Sequence, residues 1–248
     1  MVSESSTNVE RAAEIMVHLG RAGVPGLSLQ QLSETLGDAK SATRRALVAL
    51  SVRGFVEATG KRGQYRLGPA IYGLANRSSS TSELARRFRP AVMEVAAKTG
   101  QSSFLLARAG FDAICIDMHE GAAFVQTLTG GIGGRVPLGI GPGSIAIMLG
   151  LDAATREAVI RNNGPRYGQY NGADAAHVRD KLARAAIQGC SYDIGETYSD
   201  AGGVAVPIPV SPSDATAAIS IAIPAINLDP DRAHAIAELI RNQIAKCI

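Results

Sequence analysis

An α+β fold in two parts is what the 248-residue sequence predicts, on three observations. Its first 68 residues read as helix, short helix, helix and hairpin. A Ser-rich run, Arg77 to Ser82, follows a further short apolar segment. Beyond that run, strand-like apolar segments alternate with helical patterns, as a sheet covered by helices requires.

The elements follow in order. Val9, Ala12, Ala13, Met16, Val17 and Leu19 recur at mostly helical spacing, and Gly20 and Gly23 end that first helix. Ser28 is placed to cap a second, short helix over Leu29 to Leu36, with Gln31 at the capping-box position and Gly37 at its end. The third helix, from about Ala39 to Arg53, has a stripe of Ala42, Ala46, Ala49 and Leu50 with Thr43 and Leu47 at its edge. Lys40, Ser41, Arg44 and Val48 project from the other side and Arg45 from the flank. Phe55 to Ala58 and Gln64 to Leu67 then read as two strands about the turn Thr59 to Gly63. Together these make a winged helix-turn-helix. The apolar stretch Pro69 to Asn76 and the Ser-rich run read as a linker helix and linker over 69–83. In the second part the strands are Ser103 to Ala107, Ala113 to Asp117, Val204 to Pro209 and Ala217 to Pro224. Helices are expected before Gly100 and at Ala153 to Arg161, His177 to Gln188 and Asp231 to Cys247.

Composition narrows the chemistry. With 46% apolar residues, 4% aromatics and no Trp, the cores must be built from Ala, Val, Ile and Leu. No apolar run reaches the roughly 18 residues of a membrane span, and Met1 to Asn8 are polar, so the expected location is the cytoplasm. Cys115, Cys190 and Cys247 are too few and scattered for a disulfide framework or a zinc site, and no metal or cofactor is expected. The charge is uneven. Residues 1–80 hold ten Lys/Arg against six Asp/Glu, whereas residues 81–248 hold fifteen against sixteen. Between Lys40 and Arg66, seven basic residues face the single acid Glu57, which points to a polyanionic partner. Lys40, Ser41 and Arg44 can donate to base edges, Arg45 is aimed better at phosphate, and Lys61 and Arg62 of the wing can add backbone or minor-groove contacts.

Gly130 to Ser144 contains seven glycines, and Gly141 to Ala146 fits the loose dinucleotide pattern G-x-G-x-x-A. Its approach, Gly133 to Leu138, is interrupted by Pro137 and lacks the apolar strand such a site needs. A glycine turn that lets a ligand approach a helix N-terminus near Ser144 is the reading that remains. His18, His119, His177 and His234 stand apart. Asp117 with Glu120, and Asp193 with Glu196, are spaced as acids in loops commonly are, so no enzyme is predicted.

In order and spacing, the chain resembles the IclR family of bacterial transcriptional regulators. The resemblance is carried by Leu29 to Gly37, Ser41 to Leu47, Tyr65 to Gly68, Arg135 to Leu138, Gln188 to Asp193, Ala205 to Ile208 and Ala217 to Ile221. It implies a DNA-binding domain over 1–68 and a GAF-like α/β effector-binding domain over 84–248. It also implies a double-stranded DNA operator, a small organic effector (a carboxylate or aromatic acid), and a homodimer or dimer of dimers. Carried over by position, the effector site would use Gly141, Pro142, Gly143, Asp193, Gly203, Ser220 and Ala222. Asp193 would either accept from an effector hydroxyl or amide, or cap a turn. Many members have Gly-Lys where this chain has Ser144-Ile145, and a hydroxyl where it has Ala222, which makes this site less polar. The competing reading is a metabolic enzyme or ligand-binding module with a basic N-terminal oligomerisation segment.

Overall fold

The computed structural model describes residues 7–61, 63–77, 79–122, 127–209 and 216–248. The chain divides between Ser79 and Ser80 into two units.

The N-terminal unit runs α1 (Thr7–Ala22), β1 (Leu27–Ser28), α2 (Leu29–Leu36), α3 (Lys40–Val52), β2 (Val56–Ala58), β3 (Gln64–Leu67) and α4 (Pro69–Arg77). Helix α2 starts where the capping box places it. Ser28 Oγ accepts from the Gln31 N–H at 3.2 Å, while the Gln31 side chain accepts from the Ser28 N–H at 2.8 Å. Gly37 closes α2 in the left-handed region, at φ 65°. The wing is antiparallel, with Val56 opposite Leu67, and β1 adds itself to the far side of β3.

Two helical stripes differ from the spacing argument. On α1, Ile15 and Leu19 are fully buried and Ala12 and Met16 half-buried, whereas Val9 and Ala13 are exposed. On α3 the buried residues are Thr43, Leu47 and Leu50, while Ala42 and Ala46 are half-buried and Ala49 is exposed. The small core is filled by the branched aliphatic side chains Ile15, Leu19, Leu32, Leu47, Leu50 and Val56, and the alanines take the flanks. The Ser-rich run also differs, because its backbone is already helical from Ser79 onward.

The C-terminal unit runs α5 (Ser79–Thr99), β4 (Ser102–Ala109), β5 (Asp112–His119), β6 (Arg135–Pro137), α6 (Pro142–Leu149), α7 (Ala153–Tyr167), α8 (Ala175–Gln188), β7 (Ser191–Tyr198), β8 (Ala201–Ile208), β9 (Ala217–Pro224), a 3-10 turn (Ala225–Asn227) and α9 (Pro230–Ala245). Its sheet has the order β6-β5-β4-β9-β8-β7 with antiparallel pairing throughout. One face packs on α5 and α9 through Leu105, Val204, Val206, Ile219, Ile221 and Ile223. The other packs on α6, α7 and α8 through Phe104, Leu106, Ala113, Cys115, Ala205 and Ala218. Spacing alone does not find β6 and β7. The first is three residues long and ends at Pro137, as an edge strand can. The second breaks its register between Ile194 and Tyr198 and so loses its alternation.

Leu47 is 1% exposed and central to the N-terminal core. Leu47→Ala should cost about 2–5 kcal/mol, comparable to the whole stability of a core this small. We expect the N-terminal unit to melt or become protease-sensitive at lower temperature, followed by limited proteolysis and circular dichroism, while the C-terminal unit keeps its transition. An unchanged N-terminal unit would contradict this packing.

Candidate functional site

Two sites follow, one in each unit. In the N-terminal unit, Lys40, Ser41, Arg44 and Arg45 are all exposed and border one open depression together with Leu29 and Val48. Thr43, Leu47 and Leu50 hold the opposite side of α3 in the core, which fixes this face outward. Ala39 occupies the N-cap without a side-chain hydrogen bond, so the first turn of α3 keeps N–H groups for an anion. Lys61 is exposed in the wing, and Arg62 lies outside the described residues. Not every cation of the basic block is available. Arg66 donates to Glu57 at 2.7 Å across the hairpin.

Arg11 of α1 grips Asp38, in the turn between α2 and α3, with two donors at 2.5 and 3.0 Å. The guanidinium hydrogen bond holds the Asp38 carboxyl below its usual range. The turn ahead of α3 is thus tied to α1.

In the C-terminal unit a cavity opens between the sheet and the start of α6. It measures about 80 Å³ as space for the centres of water-sized molecules, room for several waters or one compact organic molecule. Its existence follows from strand parity. On β9, Ile219, Ile221 and Ile223 turn to α5 and α9, leaving Ala218, Ser220 and Ala222 for the other face, where Gly203 and Ala205 of β8 join them. Small side chains leave the space that α6 approaches. Gly143 packs so closely that a Cβ there would lie 2.2 Å from Leu106 Cδ1, and one on Gly203 would meet Pro142 Cγ at 3.3 Å.

The turn into α6 is held from several directions. Ser144 Oγ donates to the Ile140 carbonyl at 2.6 Å and accepts from the Gly139 N–H at 3.1 Å. Tyr167 Oη and Asn163 Nδ2 both donate to the Leu138 carbonyl, at 2.8 and 3.1 Å. Gly139 (φ 108°) and Gly141 (φ 74°) take conformations that side chains disfavour. Gly141 is the N-cap of α6 and supplies no side-chain acceptor. The first-turn N–H groups of Gly143 and Ser144 therefore stand beside the cavity.

All seven residues carried over for the effector site line this cavity: Gly141, Pro142, Gly143, Asp193, Gly203, Ser220 and Ala222. Sequence reasoning missed its apolar body, made by Phe104, Leu106, Leu128, Val136 and Ile140, and its hydroxyl groups on Thr127, Thr129 and Tyr198. Parity on β4 is a signal that finds Phe104 and Leu106.

For Asp193 the geometry matches the second of its two expected roles, a cap on a turn. It lines the cavity, but its oxygens are already used within the chain. Oδ1 accepts from the Glu196 and Thr197 N–H groups at 2.8 and 3.3 Å, and Oδ2 from Thr197 Oγ1 at 2.5 Å and Lys181 Nζ at 3.0 Å. Four bonds fill a carboxylate. These bonds close the β7 bulge. Lys181 also reaches Glu196 Oε2 at 3.1 Å, so the buried acid is electrically compensated. No other charged residue borders the cavity among the described residues.

The remaining reactive groups stand in structural surroundings. Asp117 is paired with Arg89 at 3.2 Å. Burial pushes the Cys115 thiol up to about 12, leaving it an unreactive neutral group. Among the described residues no cluster of His, Cys, Asp and Glu is placed to hold a metal, and no helix is long and apolar enough to cross a membrane.

A winged helix-turn-helix in one unit and a cavity in the other are the parts of a transcriptional regulator with a ligand-binding domain. Comparison with known proteins agrees. Residues 8–60 match the IclR helix-turn-helix domain, and residues 77–247 match the bacterial transcriptional regulator IclR C-terminal domain. The chain belongs to the IclR family: a transcriptional regulator with a helix-turn-helix DNA-binding domain and a ligand-binding C-terminal domain. It is 26% identical to the HTH-type transcriptional regulator Rv1719 of Mycobacterium tuberculosis, over 75% of this chain and 70% of that one. The crystal structure of an IclR transcriptional regulator from Alicyclobacillus acidocaldarius shares its fold with a TM-score of 0.77 at 20% identity, covering 98% of each chain. That of an IclR homolog from Microbacterium hydrocarbonoxydans, complexed with 4-hydroxybenzoate, shares it with a TM-score of 0.74 at 21% identity, covering 97% of each. The family's matched proteins are regulators, which removes the metabolic enzyme as a reading.

Removing Lys181 would strand the Asp193 charge in a site only 3% exposed. Lys181→Met should destabilise the C-terminal unit by about 3–5 kcal/mol, and the double variant with Asp193→Asn should recover part of that loss. Thermal melts of the four proteins of this cycle check it. Equal stability of wild type and Lys181→Met would show that the pair carries nothing.

Proposed function

We propose that this protein binds an operator through α3 and the wing, and that a small organic acid with an apolar, aromatic or short aliphatic body sets its operator affinity from the α6 cavity. The observation that carries the reading is the cavity's polarity. The uncapped first turn of α6 and the Ser220 hydroxyl meet in a space whose walls are otherwise mainly apolar and whose one acid is compensated by Lys181. A carboxylate accepting from Gly143, Ser144 and Ser220 supplies the missing cap, while the body rests among Phe104, Leu106 and Ile140. The homolog complexed with 4-hydroxybenzoate supports an acid of this size. In this reading Gly141, Pro142, Gly203 and Ala222 shape the site by being small or rigid, and Asp193 supports its wall.

The proposal takes residues 1–68 as the DNA-binding domain, 69–83 as a connecting segment and 84–248 as the effector domain, working in the cytoplasm. It also includes assembly. A single winged helix buries too little for specific affinity at physiological salt, so two copies reading two half-sites are proposed. Exposed Val9 and Leu74, on α1 and α4, are the apolar surfaces offered to a second copy.

On the operator, Arg44→Ala should relax base preference at one position and cost roughly 1–3 kcal/mol. Lys61→Ala should weaken all sequences alike and lower the salt slope by about one. Unchanged affinity and preference in Arg44→Ala, measured by fluorescence anisotropy, would displace α3 from the groove.

For the cavity, calorimetry against short carboxylates, benzoate and 4-hydroxybenzoate should find a binder. Ser220→Ala should then weaken it by roughly 1–3 kcal/mol, and Ala222→Leu should abolish it by filling the space. DNA affinity of the unliganded variants should stay near wild type. Wild-type binding of that acid by both variants would place the site elsewhere.

A further inference from the structure

The outward face of α3 holds one side chain that the charge argument leaves unused. Val48 is 55% exposed and stands one turn beyond Arg44, sharing an open depression with Lys40, Ser41, Arg44 and Arg45. A β-branched residue gains nothing in helix propensity at a solvent-facing position, and apart from Leu29 of α2 the depression is bordered there by three cations and a hydroxyl. If this face enters the major groove, the surface opposite it is polar except for one kind of group. That group is the 5-methyl of thymine, which distinguishes T from C at the groove edge.

We propose that Val48 is a specificity-determining residue that packs on a thymine methyl beside the base read by Arg44. The inference rests on the reading of α3 as the groove helix and deepens it. Four residues of helix advance about 6 Å, which along a duplex with about 3.4 Å per base step places the thymine one or two base pairs from the Arg44 contact. Val52 is the natural competitor, being 75% exposed a further turn along. It does not border the depression that Val48 shares with the donors, so it is assigned no base contact.

The experiment uses the full chain. Selection from a random duplex library gives the preferred site of the wild-type protein, and Arg44→Ala marks the position whose preference depends on Arg44. Each thymine of the site is then replaced singly by deoxyuridine, which removes only the 5-methyl. We expect one position, within two base pairs of the Arg44 position, where wild-type and Val52→Ala proteins lose about fourfold in affinity per methyl removed. The Val48→Ala protein should lose affinity for the thymine site and become indifferent to uracil at that position. The contact is overturned if uracil is tolerated at every thymine, if no thymine stands within that distance, or if Val48→Ala keeps the same sensitive position. A selection that yields no preferred site instead overturns the reading of α3 itself, and the Val48 contact with it.

Discussion

The C-terminal unit depends on one constraint, the two-residue period of β9. Its odd positions carry three isoleucines into the α5 and α9 layer, and its even positions carry Ala218, Ser220 and Ala222 toward α6. The same strand thus contributes a dense core on one side and a hollow on the other. A shift of one residue in its pairing with β4 or β8 would fill the cavity with isoleucine and empty the core, so function and stability both specify the register.

What the strand leaves open, the α6 turn shapes. Gly141 carries no side chain to cap its own helix, and Ser144 spends its hydroxyl inward on the Ile140 carbonyl. Helices α2, α7, α8 and α9, by contrast, are capped by Ser28, Asp152, Asp174 and Asp229. The uncapped starts of α3 and α6 lie beside the two candidate sites, each leaving first-turn N–H groups without a side-chain acceptor.

Much of this was readable from local signals. The capping box at Ser28, the wing strand Gln64–Leu67 and strand β9 rest on contacts among near neighbours or on strict alternation, and the fold leaves them where those signals put them. Helical spacing puts Leu47 at the edge of its stripe and leaves Ile15 off the α1 stripe, yet both are central to the core, because what a helix buries is set by the elements packed against it. The tie of Lys181 to Asp193 was invisible for another reason. It joins a helix to a bulged strand, and no periodicity announces a bulge that a carboxylate closes. The resemblance to the family names residues of the α6 turn, β7, β8 and β9 that line the cavity, but its apolar body comes from β4, Leu128, β6 and the turn before α6, which only the folded sheet gathers.

The ion pair between Arg11 and Asp38 has a mechanical side. Two hydrogen bonds between a planar guanidinium and a carboxylate resist both sliding and twisting, and they join α1 to the three-residue turn on which α3 begins. Leu19 and Ile15 share a core with Leu47, so a second attachment lies further along both helices. The ion pair and the core thus hold α1 against α3 at two separate points. With both attachments kept, a rotation of α1 would carry α3 along, as a key turns with its handle.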